Sequence, residues 1–217
     1  MSRPHAVVLA AGGIASLVAA TLAQKNAEPA SLRLTLLYAG DGSETDGLRF
    51  RHVKAQAETL TAARVQRIEM AHLLSRTAGL NPGHRPTGTL VAPQLLLAAM
   101  SHAMDYEASR VIWPIGNALS TEATTRLANT VLLVDGLARA ERKTPPTIET
   151  PLSELEPAQI IRLGEELRVD WSLAWSCLRK GRVPCGNCDG CRERASAFQA
   201  AGLRDPLEAA DRVLART

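Results

Sequence analysis

All four cysteines of this 217-residue chain fall within fifteen residues, as Cys177, Cys185, Cys188 and Cys191, spaced C-x7-C-x2-C-x2-C. A C-x2-C turn sets two thiolates about one metal apart, and Gly186 after the first of them lets backbone N–H groups turn towards sulfur. Zn²⁺ favours four such ligands in a tetrahedron, and a structural site uses all four. A ZnS₄ unit carries two negative charges, and Arg179, Lys180, Arg182, Arg192 and Arg194 lie around it in the sequence. Nearby cations lower thiol pKa values and so favour the metal-bound thiolates.

The competing reading is two disulfides, which needs an oxidising compartment. The apolar stretch Ala6–Ala23 follows Arg3 and His5 and could imitate a secretory leader. Gly12-Gly13 interrupts it, however, and Val7-Val8-Leu9, glycines and a helical pattern read better as strand, turn and helix. Three cysteines at two-residue gaps suit a metal better than disulfide geometry. The expectation is a cytoplasmic protein with reduced cysteines. No apolar run reaches a bilayer span without glycine breaks, so no membrane partner is expected.

A charge of +3 with 3% aromatic residues gives neither a basic stripe nor stacking platforms, so direct nucleic-acid binding is not expected. Ala6–Ala10, Ser31–Tyr38, Ala63–Glu69 and Arg110–Ile115 read as strands. Helical patterns follow to about Gln24, over Arg51–Ala62, through Met104 after a Gly/Pro-rich connection Ala78–Pro93, and over Thr121–Arg142. Such alternation predicts an α/β fold with a parallel sheet sandwiched by helices. Lys143-Thr144-Pro145-Pro146 marks a break, dividing the chain into a nucleotide-binding α/β domain, 1–143, and a C-terminal helical lobe, 144–217. In the lobe, helices are expected over Pro157–Leu167 (capped by Glu156 or Ser153), over Arg192–Ala201, ended by Gly202, and from Asp205-Pro206 to Arg216.

Gly12-Gly13 after the first strand, leading into a helix with Ser16 in its first turn, forms a concavity suited to an anion. It is neither a Walker loop nor a dinucleotide fingerprint. Double glycines between strand and helix are also ordinary turn and packing residues. The polar loop Ala39–Gly47 after the second strand is a usual place for ligand contacts. The five histidines have no ligand-spaced partners and read as surface or satisfied core, while Trp171 and Trp175 are expected to pack against the cysteine loop. Ser16 has no His/Asp partner at triad spacing.

The region Cys177–Pro206, with Trp175-Ser176-Cys177, Pro184-Cys185-Gly186, Cys188-Asp189, Cys191-Arg192, Arg194, Ala197-Phe198 and Asp205-Pro206, resembles the zinc region of 7-cyano-7-deazaguanine synthases. These are queuosine-pathway members of the PP-loop ATP-pyrophosphatase superfamily. Ile148-Glu149-Thr150-Pro151-Leu152 and Ile160-Ile161-Arg162-Leu163-Gly164 are similar to the family's preceding segment. The resemblance implies a homodimer with an adenine-nucleotide α-hydrolase-like (Rossmann-like) sheet and a four-cysteine structural Zn²⁺. It also implies ATP with Mg²⁺ at Gly12, Gly13, Ser16 and Tyr38, and conversion of 7-carboxy-7-deazaguanine and ammonia to the nitrile. The sequence departs from the family where it has Ser-Gly-Gly-x-Asp-Ser: Ala11 replaces Ser and Ala15 replaces Asp. Arg51-His52 is a displaced remnant of a Gln-Arg-His stretch, and Arg85-Pro86-Thr87-Gly88-Thr89 lacks the family's Asn. After Ile115-Gly116-Asn117 the Asp-Cys-Arg substrate segment is missing, and Glu156-Pro157 replaces Thr-Lys. Two readings follow. One is a synthase whose Mg²⁺ relies on other groups such as Asp41 or Asp46; the other is a zinc-stapled pseudoenzyme that binds a nucleotide, a deazapurine-like molecule or a partner subunit.

Overall fold

A computed structural model describes residues 4–27, 32–61, 63–71, 90–116 and 120–207. Strands β1 (His5–Leu9), β2 (Arg33–Gly40), β3 (Ala63–Glu69), β4 (Arg110–Ile112) and β5 (Thr147–Glu149) form one parallel sheet in the order β3-β2-β1-β4-β5. The order reverses at β1. A crevice therefore opens beyond the carboxyl ends of β1 and β4, where open α/β sheets bind ligands.

β1 is buried along its whole length, which is why it reads as an unbroken apolar run. Its alternate side chains feed two cores. Ala6 and Val8 join Leu34, Leu36 and Tyr38 beneath helices α1 (Ile14–Lys25) and α2 (Asp46–Glu58). Val7, Leu9 and Leu37 face α3 (Val91–Asp105) and α4 (Thr121–Glu141). Two further helices, α5 (Pro157–Glu166) and α6 (Asp189–Ala201), pack on the first face through Ile160, Ile161, Ala197 and Phe198. The C-terminal segment thus completes the same core, and β5 adds an edge strand to the sheet in register Val111↔Ile148.

Local chemistry sets the helix ends. Ser120 Oγ accepts from Ala123 N at the start of α4. Glu156 forms a capping box with Gln159, with Pro157 in the first turn of α5. Gly202 closes α6 at φ 76°, as expected for a left-handed cap.

Several bounds differ from those the sequence suggests. α2 begins five residues before Arg51, because Leu48 and Phe50 find apolar partners: Phe50 packs on Tyr38 with ring centroids 5.3 Å apart. α6 begins at Asp189, so Cys191 lies in its first turn and Cys188 is its N-cap. α3 begins at Val91, with Pro93 in its first turn, where a missing N–H costs nothing. β4 stops before Pro114, which has no N–H for the ladder. Residues 78–89, Asn117 and the final helix beyond 207 lie outside the described residues. No helix among the described residues is long and apolar enough to cross a membrane.

Candidate functional site

The four cysteine sulfurs lie within 4.8 Å of one another. Cys188 Sγ is 3.9 Å from Cys177 Sγ, and Cys185 Sγ is 4.0 Å from Cys191 Sγ. An ion held about 2.3 Å from each of four tetrahedral sulfurs needs edges of about 3.8 Å, so the group fits a single bound ion. Backbone N–H groups already point at the sulfurs: Leu178 to Cys188 (3.3 Å), and Arg179 and Cys185 to Cys177 (both 3.4 Å). Burial pushes the Cys177 and Cys191 thiols up. At Cys185 burial is outweighed by N–H bonds from Asn187 and Cys188 and by contacts with Cys177 and Cys188, which bring that thiol down to about 7. Cys185 is exposed and its three companions are buried.

Folding places this cluster beside the glycine loop. The Trp175 ring packs on Cys177, Cys188 and Cys191, and its backbone N–H donates to Gly12 O at 2.8 Å. Trp171 goes elsewhere: it sits in the main core, edge-on to Phe198, and its ring fills the space where Gly164 has no side chain. Gly190 lets α6 approach the segment Trp175–Cys177, because a Cβ there would sit 1.9 Å from Ser176 O.

Between the loop after β1, the end of β4, the start of α5 and the cysteine lobe lies a cavity of about 560 Å³. Gly13 and Ser16 line it, and so do the methyl groups of Ala11 and Ala15. Gly12 does not. It has φ +76°, its carbonyl also accepts from Gln56 Nε2 at 3.0 Å, and a Cβ would meet Arg49 O at 2.7 Å. Ser16 is buried, and its hydroxyl donates to Gly13 O at 3.1 Å. Tyr38 is also apart from the cavity. It is fully buried, and its hydroxyl donates to Asp46 Oδ1 at 2.5 Å and Asp46 O at 3.0 Å, beneath the loop. Burial raises its pKa well above the usual tyrosine value.

Glu193 lines the cavity, and Arg49, Asp41, Asp46 and Arg194 around it are paired within the protein. Arg49, which reaches its wall, bonds Asp41 and, at 3.1 Å, Ser43 Oγ. Burial works against the Asp41 carboxylate, but Arg49 and the Ser43 N–H and hydroxyl hold its pKa below the usual range. Asp46 is taken by Arg67 at 2.8 Å as well as by Tyr38. Arg194, 5% exposed, makes four hydrogen bonds: two to the Asp205 carboxylate and one each to Ala174 O and Trp171 O. Its position in the sequence suggested a cation serving the sulfurs. It is a core staple instead, and the Asp205 eleven residues on was the available signal. His52 is satisfied core: Nδ1 meets Leu173 O at 3.0 Å, and the ring stacks on Trp175 at 5.3 Å.

The family model for "Queuosine biosynthesis protein QueC" matches residues 95–202. The 7-cyano-7-deazaguanine synthase of Nostoc sp. is 46% identical over 72 residues, 33% of this chain and 31% of that protein. The synthase of Methanothrix thermoacetophila is 26% identical over 225 residues, covering 94% of this chain and 98% of its own. The chain belongs to the QueC family. The match to the first relatives spans about a third of their length. Among solved structures, the U34-tRNA thiolase NcsA from Methanococcus maripaludis with its [4Fe-4S] cluster superposes with a TM-score of 0.50 at 13% identity, covering 92% of this chain and 65% of that one, a likeness of fold alone. The QueC match takes in α5, the cysteine cluster and α6, and begins after the glycine loop. That division follows the sequence: the cysteine lobe keeps its motifs, while Ala11 and Ala15 stand in the loop.

Proposed function

We propose that this chain is a 7-cyano-7-deazaguanine synthase-like protein that keeps the family's cysteine lobe and ligand cavity but does not turn over ATP. It is a zinc-stapled binding protein for a purine-like ligand. The observation that carries this reading is the cavity wall. Two methyl groups, Ala11 and Ala15, stand at the glycine loop, and the nearby Arg49, Asp41, Arg194 and Asp46 are spent on one another and on Asp205, Arg67 and Tyr38. A methyl cannot ligate Mg²⁺. Losing one transition-state-stabilising group costs on the order of 10²–10³ in rate, and here the Asp and the Thr-Lys pair are both gone. The walls that remain, Ile115, Gly116, Pro157, Ile160 and Trp175, suit a flat, largely uncharged ring.

Zn²⁺ is the ion we assign to Cys177, Cys185, Cys188 and Cys191. The sulfur separations suit one central ion, whereas a cluster that seats each thiolate on its own iron needs them further apart. Reduced thiolates of this kind fit a cytoplasmic protein. A homodimer completes the proposal.

The test is incubation of the full-length protein with ATP–Mg²⁺, 7-carboxy-7-deazaguanine and ammonia, beside calorimetric titration with each ligand. We expect no AMP above background, no recovery in the Ala11→Ser/Ala15→Asp variant, and measurable binding of 7-carboxy-7-deazaguanine. Stoichiometric AMP formation by the native chain would reinstate the synthase reading.

A further inference from the structure

At the opposite end of the sheet, the amino ends of β1, β2 and β3 and the end of α3 enclose a second cavity of about 380 Å³. It lies within the size range of small-molecule clefts. The strand registers His5↔Arg33 and Thr35↔Arg64 bring four polar side chains to one face of the sheet. His102 and Tyr106, from α3 and its cap, supply the facing wall, with ring centroids 4.4 Å apart and Tyr106 57% exposed.

The charge here is one-sided. Among the described residues no carboxylate lines the cavity, and neither Arg33 nor Arg64, which both line it, has an acidic partner. The histidines do not add to this charge. His5 bridges Tyr106 O (3.2 Å) and Thr35 Oγ1 (2.9 Å), so its Nδ1–H donates to the carbonyl and Nε2 accepts from the hydroxyl. Burial, then Arg33 and Arg64, lower its pKa, the Tyr106 carbonyl bond working the other way. Burial and His5 lower that of His102, against the pull of Asp105. The carbonyl at the end of α3, which would repel an anion, is occupied by His5. Two guanidiniums with no acidic partner among the described residues, beside the half-buried His102 ring and the exposed Tyr106 ring, therefore remain to meet a ligand.

We propose that this cavity binds a free mononucleotide, with its phosphate between Arg33 and Arg64 and its base laid on the His102–Tyr106 pair. Guanidinium forks match phosphate oxygens, and stacking on an aromatic face tolerates any base. This site is independent of the purine cavity above β1 and β4.

The experiment is calorimetric titration of the full-length protein with GMP, UMP and inorganic phosphate, with 7-carboxy-7-deazaguanine as the probe of the other cavity. Both nucleotides are expected to bind saturably and to weaken as salt rises. Arg33→Ala/Arg64→Ala should lower GMP affinity by about tenfold or more and leave the deazapurine titration unchanged. Tyr106→Ala should lower GMP affinity by about tenfold through lost stacking while phosphate binding stays as it was. These residues are at the surface, and matching melting curves will confirm that the variants fold. Saturable GMP binding that survives the double arginine change overturns the proposal, as does no saturation at millimolar nucleotide. Equal affinity for phosphate and GMP removes the stacking half of it. Failure of the deazapurine alone bears on the other cavity only.

Discussion

At the scale of single residues, the two glycines after β1 have different jobs. Gly12 is demanded by the backbone: φ is +76°, and an added methyl would press on Arg49 O at 2.7 Å. Gly13 is extended, and its Cβ would meet only Trp175 O at 3.8 Å. A side chain in the left-handed region costs roughly 1–2 kcal/mol before any clash is counted. Gly12→Ala should therefore lower unfolding stability by about 2 kcal/mol or more, read as a fall in the urea midpoint at unchanged slope. Gly13→Ala should stay within about 1 kcal/mol of the parent while weakening any ligand that approaches the loop backbone. Equal losses for both would mean that the loop geometry is not what separates them. Arg194 follows the same logic. It is buried with Asp205, so Arg194→Met leaves a carboxylate unpaired in the core at a cost of roughly 3–5 kcal/mol.

Among the elements, the cysteine lobe depends most on something other than apolar packing. Its own cluster contains only Trp175, Cys177, Cys188 and Cys191, with Leu48 and Leu178 against it. α6 itself is held to the main core by Ala197, Phe198 and Arg194, so the segment that rests on the sulfurs is the loop from Cys177 to Cys188, and a bound ion would supply much of the energy that orders it. Stripping the metal with a chelator should abolish hydrogen-exchange protection of the Leu178, Arg179 and Cys185 amides, which bond to sulfur. Protection of β1 and β2 should persist. Unchanged exchange at those three amides would rule out a metal-dependent lobe. This element was the most legible in the sequence, because four thiols at fixed spacing admit few arrangements. β1 was nearly as clear, since a strand buried on both faces leaves a continuous apolar signal. β5 left none: Thr147-Ile148-Glu149 follows two prolines and becomes a strand only through β4, a partner 37 residues away. The candidate site was half legible. Gly12 and Gly13 were found by their place between strand and helix, but Tyr38 lies beneath the loop, and the pairing of Asp41 with Arg49 depends on the turn into α2. The cavity at Arg33 and Arg64 could not be read at all, because strand register alone brings those residues together.

For the whole molecule, α4 raises the question of what covers it. Thr130, Val134 and Ala138 face the core, yet on the opposite side Leu132, Leu133 and Leu137 are 67%, 69% and 56% exposed. Gly136 lies among them, mid-helix, with nothing within 4 Å of where a Cβ would be. Glycine costs about 1 kcal/mol against alanine in such a position, a loss the monomer does not recover. A second helix packing closely at Gly136 would recover it, and burying each leucine is worth about 1.5–3 kcal/mol. An antiparallel pair of α4 helices about a two-fold axis places the same face on both copies, as a closed dimer requires. Sedimentation equilibrium should show a dimer, and Leu133→Asp/Leu137→Asp should give a monomer. The melting temperature of that monomer should fall only by what dimerisation contributed, and should no longer rise with protein concentration. Because α4 packs on the face of the sheet away from the glycine loop, 7-carboxy-7-deazaguanine binding should survive in the monomer. A parent chain that stays monomeric at high concentration, or a double variant that still dimerises, would exclude α4 as the contact.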